Sequence, residues 1–135
     1  MTERATTAGD EELVRIAALA RQRAYAPYSN YRVGAALRTA RGKVTGGANV
    51  ENASYGLTIC AERAALFAAV NAGDKGFDGI AVVASDLAPP CGACLQVLSE
   101  FCGDDLRVVL AADDGRREVT RLGALLTRPF RLKPG

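Results

Sequence analysis

The chain has 135 residues, a length that fits one domain with a hydrophobic core. Hydrophobic residues make up 49% of it and charged residues 24%, proportions typical of a soluble globular chain rather than a disordered one. Its net charge is +2 and its basic residues are scattered, which argues against nucleic acid as a partner. No apolar run reaches the length of a membrane span, so we expect no membrane association.

The first residues carry no recognisable export signal. They are polar and acidic and lack the apolar core of a signal peptide. A cytoplasmic location is therefore expected, in which the four cysteines stay reduced. In a reducing compartment, two cysteines spaced CxxC indicate metal binding or catalysis before they indicate a structural disulfide.

The N-terminal half is predicted to form a helix, a β-hairpin and a second helix. Helical and alternating spacing of apolar residues places these elements at residues 10–26, 33–39, 43–48 and 60–73. Residues 1–9 are expected to be frayed. Thr7 with Asp10 is expected to cap the first helix, and Pro27 to end it.

The C-terminal half is predicted to alternate strands with short helices. Strands are placed at residues 79–85, 106–112 and 117–122, a helix at 93–102 and a helical turn at 122–126. Leu95, Leu98 and Phe101 are expected to form the buried stripe of the helix. The order β-β-α-β-α-β-β predicts a single sheet with helices packed on it, in the α/β class. No linker is visible, so residues 1–135 are interpreted as one domain.

Three of the four cysteines lie where a loop is predicted to become a helix. Cys60 begins the second predicted helix, and Cys91 and Cys94 lie on either side of the start of the third. Helix N-termini favour thiolate over thiol, and thiolates bind metals. The three sulfurs are therefore predicted to converge on one tetrahedral zinc ion. Three protein ligands leave a fourth position for water, which is typical of catalytic zinc sites.

Two charged residues that follow Cys60 complete the predicted site. Glu62 can reach the open position without being a ligand, and a carboxylate there acts as a catalytic proton shuttle. Three thiolates with Zn²⁺ form a negative cluster, which weakens the ion as a Lewis acid. Arg63 is expected to compensate that charge by donating hydrogen bonds to the thiolates. The alternative is that Arg63 is a solvated helix residue.

The CxxC pair by itself is open to other interpretations. Taken alone, Cys91 and Cys94 fit a redox pair or half of a zinc ribbon about as well as they fit a catalytic zinc site. A redox pair does not require Cys60 and Glu62 upstream, and a ribbon needs a fourth ligand. Cys102 is available, but it is predicted to be buried as a small hydrophobic residue. A zinc-stabilised binding module without activity is the non-enzymatic alternative, and it needs a saturated site.

Four ordered motifs resemble the small, homotetrameric, zinc-dependent cytidine deaminases that act on free nucleosides. The motifs are Y-A-P-Y-S-x-Y-x-V-G-A-A at 25–36, G-x-N-V-E-N-A-S-Y at 47–55, C-A-E-R at 60–63 and P-C-G-A-C-x-Q at 90–96. The resemblance implies a three-layer α/β/α sandwich with one mixed five-stranded sheet. It also implies one zinc per subunit on Cys60, Cys91 and Cys94, and a homotetramer with shared active sites.

The same resemblance implies roles for residues outside the cysteine motifs. Asn49 and Glu51 would hold the ribose hydroxyl, although both residue types also commonly organise turns. Tyr31 would pack near the sugar and base. Phe130 would reach from a neighbouring subunit and stack on the base. One departure is Leu95, where the family usually has arginine, so more of the charge compensation is left to Arg63.

The expected reaction is the hydrolytic deamination of cytidine and 2′-deoxycytidine to the corresponding uridines plus ammonia, a step of pyrimidine salvage. A related deaminase for a blasticidin-type nucleoside antibiotic shares the zinc motifs but differs around the sugar, and Asn49 with Glu51 favours a ribose. A nucleic-acid-editing deaminase commonly uses histidine as its first ligand and needs a surface that binds a strand.

Overall fold

One five-stranded sheet runs through the centre of the computed structural model, which describes residues 5–132. The strands are β1 (Gly34–Thr39), β2 (Val44–Ala48), β3 (Phe77–Ala84), β4 (Arg107–Ala112) and β5 (Arg117–Arg121). They lie in the order β2-β1-β3-β4-β5, and the β3–β4 pair is parallel while the other pairs are antiparallel. The mixed five-stranded sheet is confirmed.

Four α-helices accompany the sheet in the described part of the chain. They are α1 (Ala8–Arg21), α2 (Ala61–Asn71), α3 (Gly92–Phe101) and the single turn α4 (Leu122–Leu125). A short 3₁₀ turn, Tyr55–Leu57, lies in the loop before α2. Within the described residues, no helix combines the length and the apolar character needed to cross a bilayer.

Two hydrophobic cores lie on opposite faces of the sheet. Alternate side chains of β1 belong to different cores: Ala35 and Leu37 pack with α2 and α3, and Ala36 packs with α1. Because helices cover both faces, β3 and β4 are continuous apolar runs rather than alternating ones. The α/β/α sandwich implied by the resemblance is confirmed.

Glycines allow the helices to approach the sheet closely at two points. A Cβ atom added at Gly34 would lie 2.0 Å from the Ala17 carbonyl oxygen of α1. One added at Gly47 would lie 2.4 Å from the Ala65 backbone nitrogen of α2. Neither backbone atom can move without its helix, so both positions require the smallest residue. The contact at Gly47 sets the height of the first turns of α2 above the sheet.

The N-terminal cap of α1 is confirmed. The Thr7 hydroxyl accepts a hydrogen bond from the Asp10 backbone N–H at 3.1 Å, and the Asp10 carboxylate accepts one from the Thr7 N–H at 2.9 Å. The predicted fraying falls partly on residues 1–4, which lie outside the described residues. Within the described ones, the helix begins at Ala8, so the prediction for residues 8 and 9 was wrong.

The C-terminal end of α1 differs from the prediction. The helix ends at Arg21 rather than near Ala26. The reason is a long-range pairing: the Tyr25 N–H donates to the Asn49 carbonyl at 2.9 Å, and the Glu51 N–H donates to the Tyr25 carbonyl at 2.8 Å. Backbone groups committed to another segment cannot also complete a helical turn.

The buried face of α3 also differs from the prediction. Phe101 is 40% exposed, whereas Cys94, Leu95, Leu98 and Ser99 are buried. Each step of three residues falls short of a full turn of 3.6 residues, so after the two steps of a stripe spaced i, i+3, i+6 the side chain has rotated off the core. The actual stripe follows the spacing i, i+3, i+4.

Candidate metal centre and active site

The three predicted ligands lie at the N-termini of two helices on the same face of the sheet. Cys60 is the N-cap residue of α2, and Cys91 is the N-cap residue of α3, with Cys94 in the first turn after it. The Sγ atoms of Cys60 and Cys91 are 3.8 Å apart, and those of Cys91 and Cys94 are 3.6 Å apart. All four cysteines of the chain are free thiols, so no disulfide joins this group.

The spacing of the three sulfurs fits zinc. A tetrahedral ion with Zn–S bonds of about 2.3 Å separates its sulfur ligands by about 3.8 Å. The three Sγ atoms all lie within 4.8 Å of one another. Among the residues described, no fourth cysteine, histidine or carboxylate joins the group. The donor set therefore fits one zinc ion and leaves one tetrahedral position without a protein ligand.

Cys102 stands apart from this group, as the sequence indicated. It is 8% exposed, at the C-terminal end of α3, in the core shared with α2. Burial raises the pKa of its thiol to about 12, which keeps it protonated at neutral pH. A buried, protonated thiol acts as a small apolar side chain rather than as a fourth ligand.

The hydrogen bonds around Cys60 favour its thiolate. The Cys94 thiol and then Arg63 donate hydrogen bonds to Cys60, and these lower the pKa of Cys60 although burial opposes them. The same donation, together with burial, raises the pKa of Cys94. These hydrogen bonds and the N-terminus of α2 both favour the ionised form of Cys60, which is the form that binds a metal.

Arg63 contacts the sulfur cluster directly. Its Nη2 donates to Cys60 Sγ at 3.4 Å, and its side chain is partly buried rather than solvated. Its Nε is buried and has no hydrogen-bond partner among the described residues. A cation held at this distance is what compensation of a thiolate cluster requires.

Glu62 is a buried carboxylate in the first turn of α2. It is 5% exposed, and this burial raises its pKa to about 7. A carboxyl group with that pKa both accepts and releases a proton at neutral pH, which is the property a proton shuttle needs. Its position two residues after Cys60 places it beside the sulfur cluster without making it a member.

Asn49 is buried and holds the loop that precedes β1. Its Oδ1 accepts a hydrogen bond from the Val33 N–H at 3.0 Å, and its Nδ2 donates to the Tyr31 carbonyl at 2.8 Å. The structure therefore gives Asn49 a role in ordering this loop, which is the alternative that the sequence left open. One amide hydrogen of Asn49 is left for another acceptor.

Glu51 holds an earlier part of the same loop, at Tyr28 and Ser29. Its carboxylate accepts hydrogen bonds from the backbone N–H groups of Tyr28 at 2.9 Å and Ser29 at 3.1 Å, and from the Ser29 hydroxyl. The Ser29 hydroxyl and these backbone groups lower the pKa of Glu51. Glu51 also lines a cavity of about 360 Å³ with Tyr55 and Thr58, a volume in the range of small-molecule sites.

Tyr31 is joined to an aspartate that the sequence did not single out. The Tyr31 hydroxyl donates to Asp86 Oδ1 at 2.5 Å. Burial and then this hydrogen bond raise the pKa of Tyr31 to about 12. Asp86 lies in the loop between β3 and α3, directly before the cysteine motif. The sequence signal that could have identified Asp86 was its position just after a central strand, because loops at strand ends carry functional residues.

Phe130 lies at the C-terminal end of the described chain. Phe130 is 69% exposed, but its backbone is paired with Gln96 of α3. The Phe130 N–H donates to Gln96 Oε1 at 3.1 Å, and Gln96 Nε2 donates to the Phe130 carbonyl at 2.7 Å. Gln96 is the last residue of the fourth motif, and sequence reasoning gave it no role.

Comparison with known proteins agrees with this geometry. The family model for the cytidine and deoxycytidylate deaminase zinc-binding region matches residues 7–112. The chain is 48% identical over 120 residues to a cytidine deaminase of Halalkalibacterium halodurans, covering 87% of this chain and 91% of that protein. It is 52% identical over 108 residues to a probable cytidine deaminase of Dictyostelium discoideum, covering 77% and 71%.

A solved structure extends the similarity to the fold. The cytidine deaminase of Burkholderia pseudomallei superimposes with a TM-score of 0.87 at 50% identity, covering 93% of this chain and all of that one. A blasticidin-S deaminase of Bacillus cereus is also similar, at 34% identity over 86 residues, but that alignment covers only 56% of this chain. The chain belongs to the cytidine and deoxycytidylate deaminase family.

Proposed function

We propose that this protein is a zinc-dependent cytidine deaminase that converts cytidine and 2′-deoxycytidine, with water, to uridine and 2′-deoxyuridine plus ammonia. The observation that carries the proposal is the group of three thiols spaced for a tetrahedral ion, beside a buried carboxylate. Cys60, Cys91 and Cys94 would hold the metal. When bound, zinc supplies Lewis acidity and a nucleophile at neutral pH.

Glu62 moves the protons of this reaction. It accepts a proton from the attacking water, whose oxygen becomes bonded to C4 of the pyrimidine. It delivers that proton to N3. It then takes the remaining proton of the new C4 hydroxyl group and passes it to the amine, so that the C4–N bond breaks, the C4 carbonyl forms and ammonia leaves. Because burial raises its pKa to about 7, none of these transfers is strongly uphill at neutral pH.

Arg63 adjusts the charge of the metal site in this proposal. Three thiolates would leave a zinc site with a net negative charge, which opposes the ionisation of water. The guanidinium contact with Cys60 at 3.4 Å draws electron density from one of these ligands. Leu95, which has no polar group, cannot share this task.

Asn49 and Glu51 are proposed to bind the sugar. A carboxylate offers about four acceptor sites, and three of those of Glu51 are occupied by the loop at Tyr28 and Ser29. Glu51 therefore keeps an acceptor, and Asn49 keeps a donor, for one ribose hydroxyl. Tyr31, held by Asp86, is proposed to pack near the sugar and base.

We further propose a homotetramer whose active sites are shared, with Phe130 stacking on the base bound by a neighbouring subunit. Large apolar side chains that are more than half exposed support an interface between copies. They are Tyr25, Tyr28, Val50, Tyr55, Leu57, Phe130 and Leu132.

We also propose that residues 1–135 form one domain and that the protein works in the cytoplasm, where its ligand thiols remain reduced.

One assay tests the substrate. Purified protein with measured zinc content is mixed separately with cytidine, 2′-deoxycytidine, blasticidin S and single-stranded DNA, and ammonia release is followed with the change in ultraviolet absorbance. We expect turnover of both nucleosides and none of the oligonucleotide. Turnover of blasticidin S alone would contradict the proposal, since the residues around the sugar would then serve another substrate.

A further inference from the structure

We infer that Gln96 is a positioning residue that clamps the C-terminal arm, defined here as Phe130–Leu132, onto helix α3. The inference rests on the proposed function in one respect, because it takes the Phe130 ring to contact substrate. The clamp ties that ring to the helix that carries Cys91 and Cys94. The metal-binding thiols and the aromatic arm then move as one body.

The geometry of the clamp is a complementary pair of hydrogen bonds. The Gln96 amide donates at 2.7 Å to the carbonyl of Phe130 and accepts at 3.1 Å from the N–H of the same residue. A side-chain amide carries a donor and an acceptor side by side, which is what the carbonyl and the N–H of one residue require. A carboxylate of the same length lacks the donor, and a lysine lacks the acceptor.

The arm has few other means of holding its position. The described residues after α4 form no helix or strand, so no backbone ladder fixes them. Arg131 adds longer contacts, at 3.5 Å to the Ser99 carbonyl and 3.3 Å to Asp104. Phe130 is 69% exposed and therefore buries little of its surface within its own chain. The two bonds to Gln96 are the shortest polar contacts of the arm.

Loss of the clamp affects binding rather than chemistry. An arm that is disordered in the free protein must be ordered each time substrate binds, and that ordering weakens affinity. Gln96 neither carries a proton nor binds zinc in the proposed reaction, whose protons move through Glu62. We therefore expect the Michaelis constant to rise while kcat stays near the parent value.

The test replaces Gln96 with methionine, which keeps length and packing but makes neither bond. Hydrogen–deuterium exchange of the segment containing the Phe130 amide should be faster by roughly three- to ten-fold, and KM for cytidine should rise by a similar factor. Zinc content and kcat should not change. Gln22→Met is the matched control, since Gln22 is exposed on another element, and it should alter none of these values.

The Phe130→Ala background completes the design. If Gln96 acts through Phe130, then Gln96→Met adds nothing to the KM of Phe130→Ala. Fully additive effects would overturn the inference, and so would unchanged amide exchange or unchanged KM in Gln96→Met. An unchanged KM in Phe130→Ala would overturn it together with the proposed stacking role. The exchange measurement needs no turnover. If the protein were inactive on cytidine, the proposed function would be wrong, but amide exchange would still test the clamp.

Discussion

At the scale of single residues, the function depends on how burial and neighbouring charges alter ordinary side chains. Glu62 is an ordinary carboxylate whose pKa is raised to about 7 because its side chain, in the first turn of α2, is buried. Cys60 is an ordinary thiol whose pKa is lowered because Cys94 and Arg63 donate hydrogen bonds to it. The same chain therefore provides a proposed metal ligand and a proposed proton carrier two positions apart.

Replacement of Glu62 tests the proton shuttle. Glu62→Gln removes the titrating group while it keeps the size of the side chain. General acid–base catalysis contributes about a hundred- to ten-thousand-fold, so kcat for cytidine should fall by at least that range. Zinc content and thermal stability should be retained, and Glu100→Gln on the exposed face of α3 should behave like the parent. Near-parent kcat in Glu62→Gln would remove this residue from the mechanism.

Sequence reasoning found the residues whose chemistry is concentrated in short motifs. Cys60, Cys91 and Cys94 were identifiable because each precedes or opens a helix, and local spacing shows this. Asp86 and Gln96 were missed because their partners lie 55 and 34 positions away along the chain. The position of Asp86 after a central strand marked it as a candidate, but a single sequence does not show which distant residue pairs with it or with Gln96.

At the scale of elements, two helices are fixed to the sheet by quite different means. Helix α1 is held by the buried ion pair between Asp10 and Arg107 of β4, whose oxygen and nitrogen atoms are 2.7 Å apart. Helix α2 is held by close backbone packing against Gly47 of β2. The first contact stabilises the fold, and the second also positions the active site.

The Asp10 ion pair makes stability depend on pH in the acid range. Hydrogen bonds from Arg107, and then from Thr7, hold the pKa of Asp10 below its ordinary value of 3.8 although burial opposes them. A carboxyl group whose pKa is lowered by folding stabilises the fold above its unfolded pKa. That contribution is lost as the pH falls through the lower, folded value.

Asp10→Asn should therefore destabilise the protein at neutral pH by about 1.5–3 kcal/mol, because it removes the charge-assisted hydrogen bonds between the buried Asp10 carboxylate and the Arg107 guanidinium. Urea unfolding at pH 7 and at pH 3 measures the effect, and the difference from the parent should shrink at the lower pH. Asp114→Asn breaks only an exposed ion pair and should leave the unfolding midpoint nearly unchanged. A difference for Asp10→Asn that is as large at pH 3 as at pH 7 would refute this account.

Gly47→Ala tests how β2 positions α2. The new methyl group would lie 2.4 Å from the Ala65 nitrogen and 2.9 Å from the Ala61 carbonyl oxygen, so α2 must shift. We expect a loss of stability of about 1–3 kcal/mol. Turnover should also fall, because the displaced turn carries Glu62. Gly56→Ala, whose added Cβ meets nothing within 4 Å, should cost far less stability. Parent-like stability in Gly47→Ala would show that the contact is not tight.

Element boundaries were predicted well where a nearby residue ends the element. They were predicted poorly where pairing with a distant segment ends it. The turn between β1 and β2 was predicted from the glycine at position 42, and in the structure Gly42 takes a positive φ of 91°, which glycine favours. The end of α1 was misplaced by five residues because its cause is the pairing of Tyr25 with residues 49–51. Nothing near residue 21 in the sequence signals that pairing.

At the scale of the whole molecule, the proposed active site is not complete in one chain. The thiols and Glu62 lie in each subunit, whereas the Phe130 ring is proposed to come from a neighbour. Light scattering should give a mass four times that of the chain. A monomer with full activity would contradict the shared site.

Mixed assemblies test the sharing directly. Glu62→Gln subunits contribute an intact Phe130 but no proton shuttle, and Phe130→Ala subunits contribute the reverse. Co-assembled tetramers should therefore contain some sites with both groups intact, and a fraction of activity with the parent KM should reappear. Activity that shows only the raised KM of Phe130→Ala would place the ring in its own subunit's site.

The most direct test of the whole account is X-ray absorption at the zinc edge of the purified protein. Cys60, Cys91 and Cys94 predict three sulfur neighbours at about 2.3 Å and one lighter atom, oxygen, in the fourth position. Cys102→Ala should leave this spectrum unchanged. A spectrum with four sulfur neighbours, or protein that contains no zinc and has two of these thiols oxidised to a disulfide, would contradict the account.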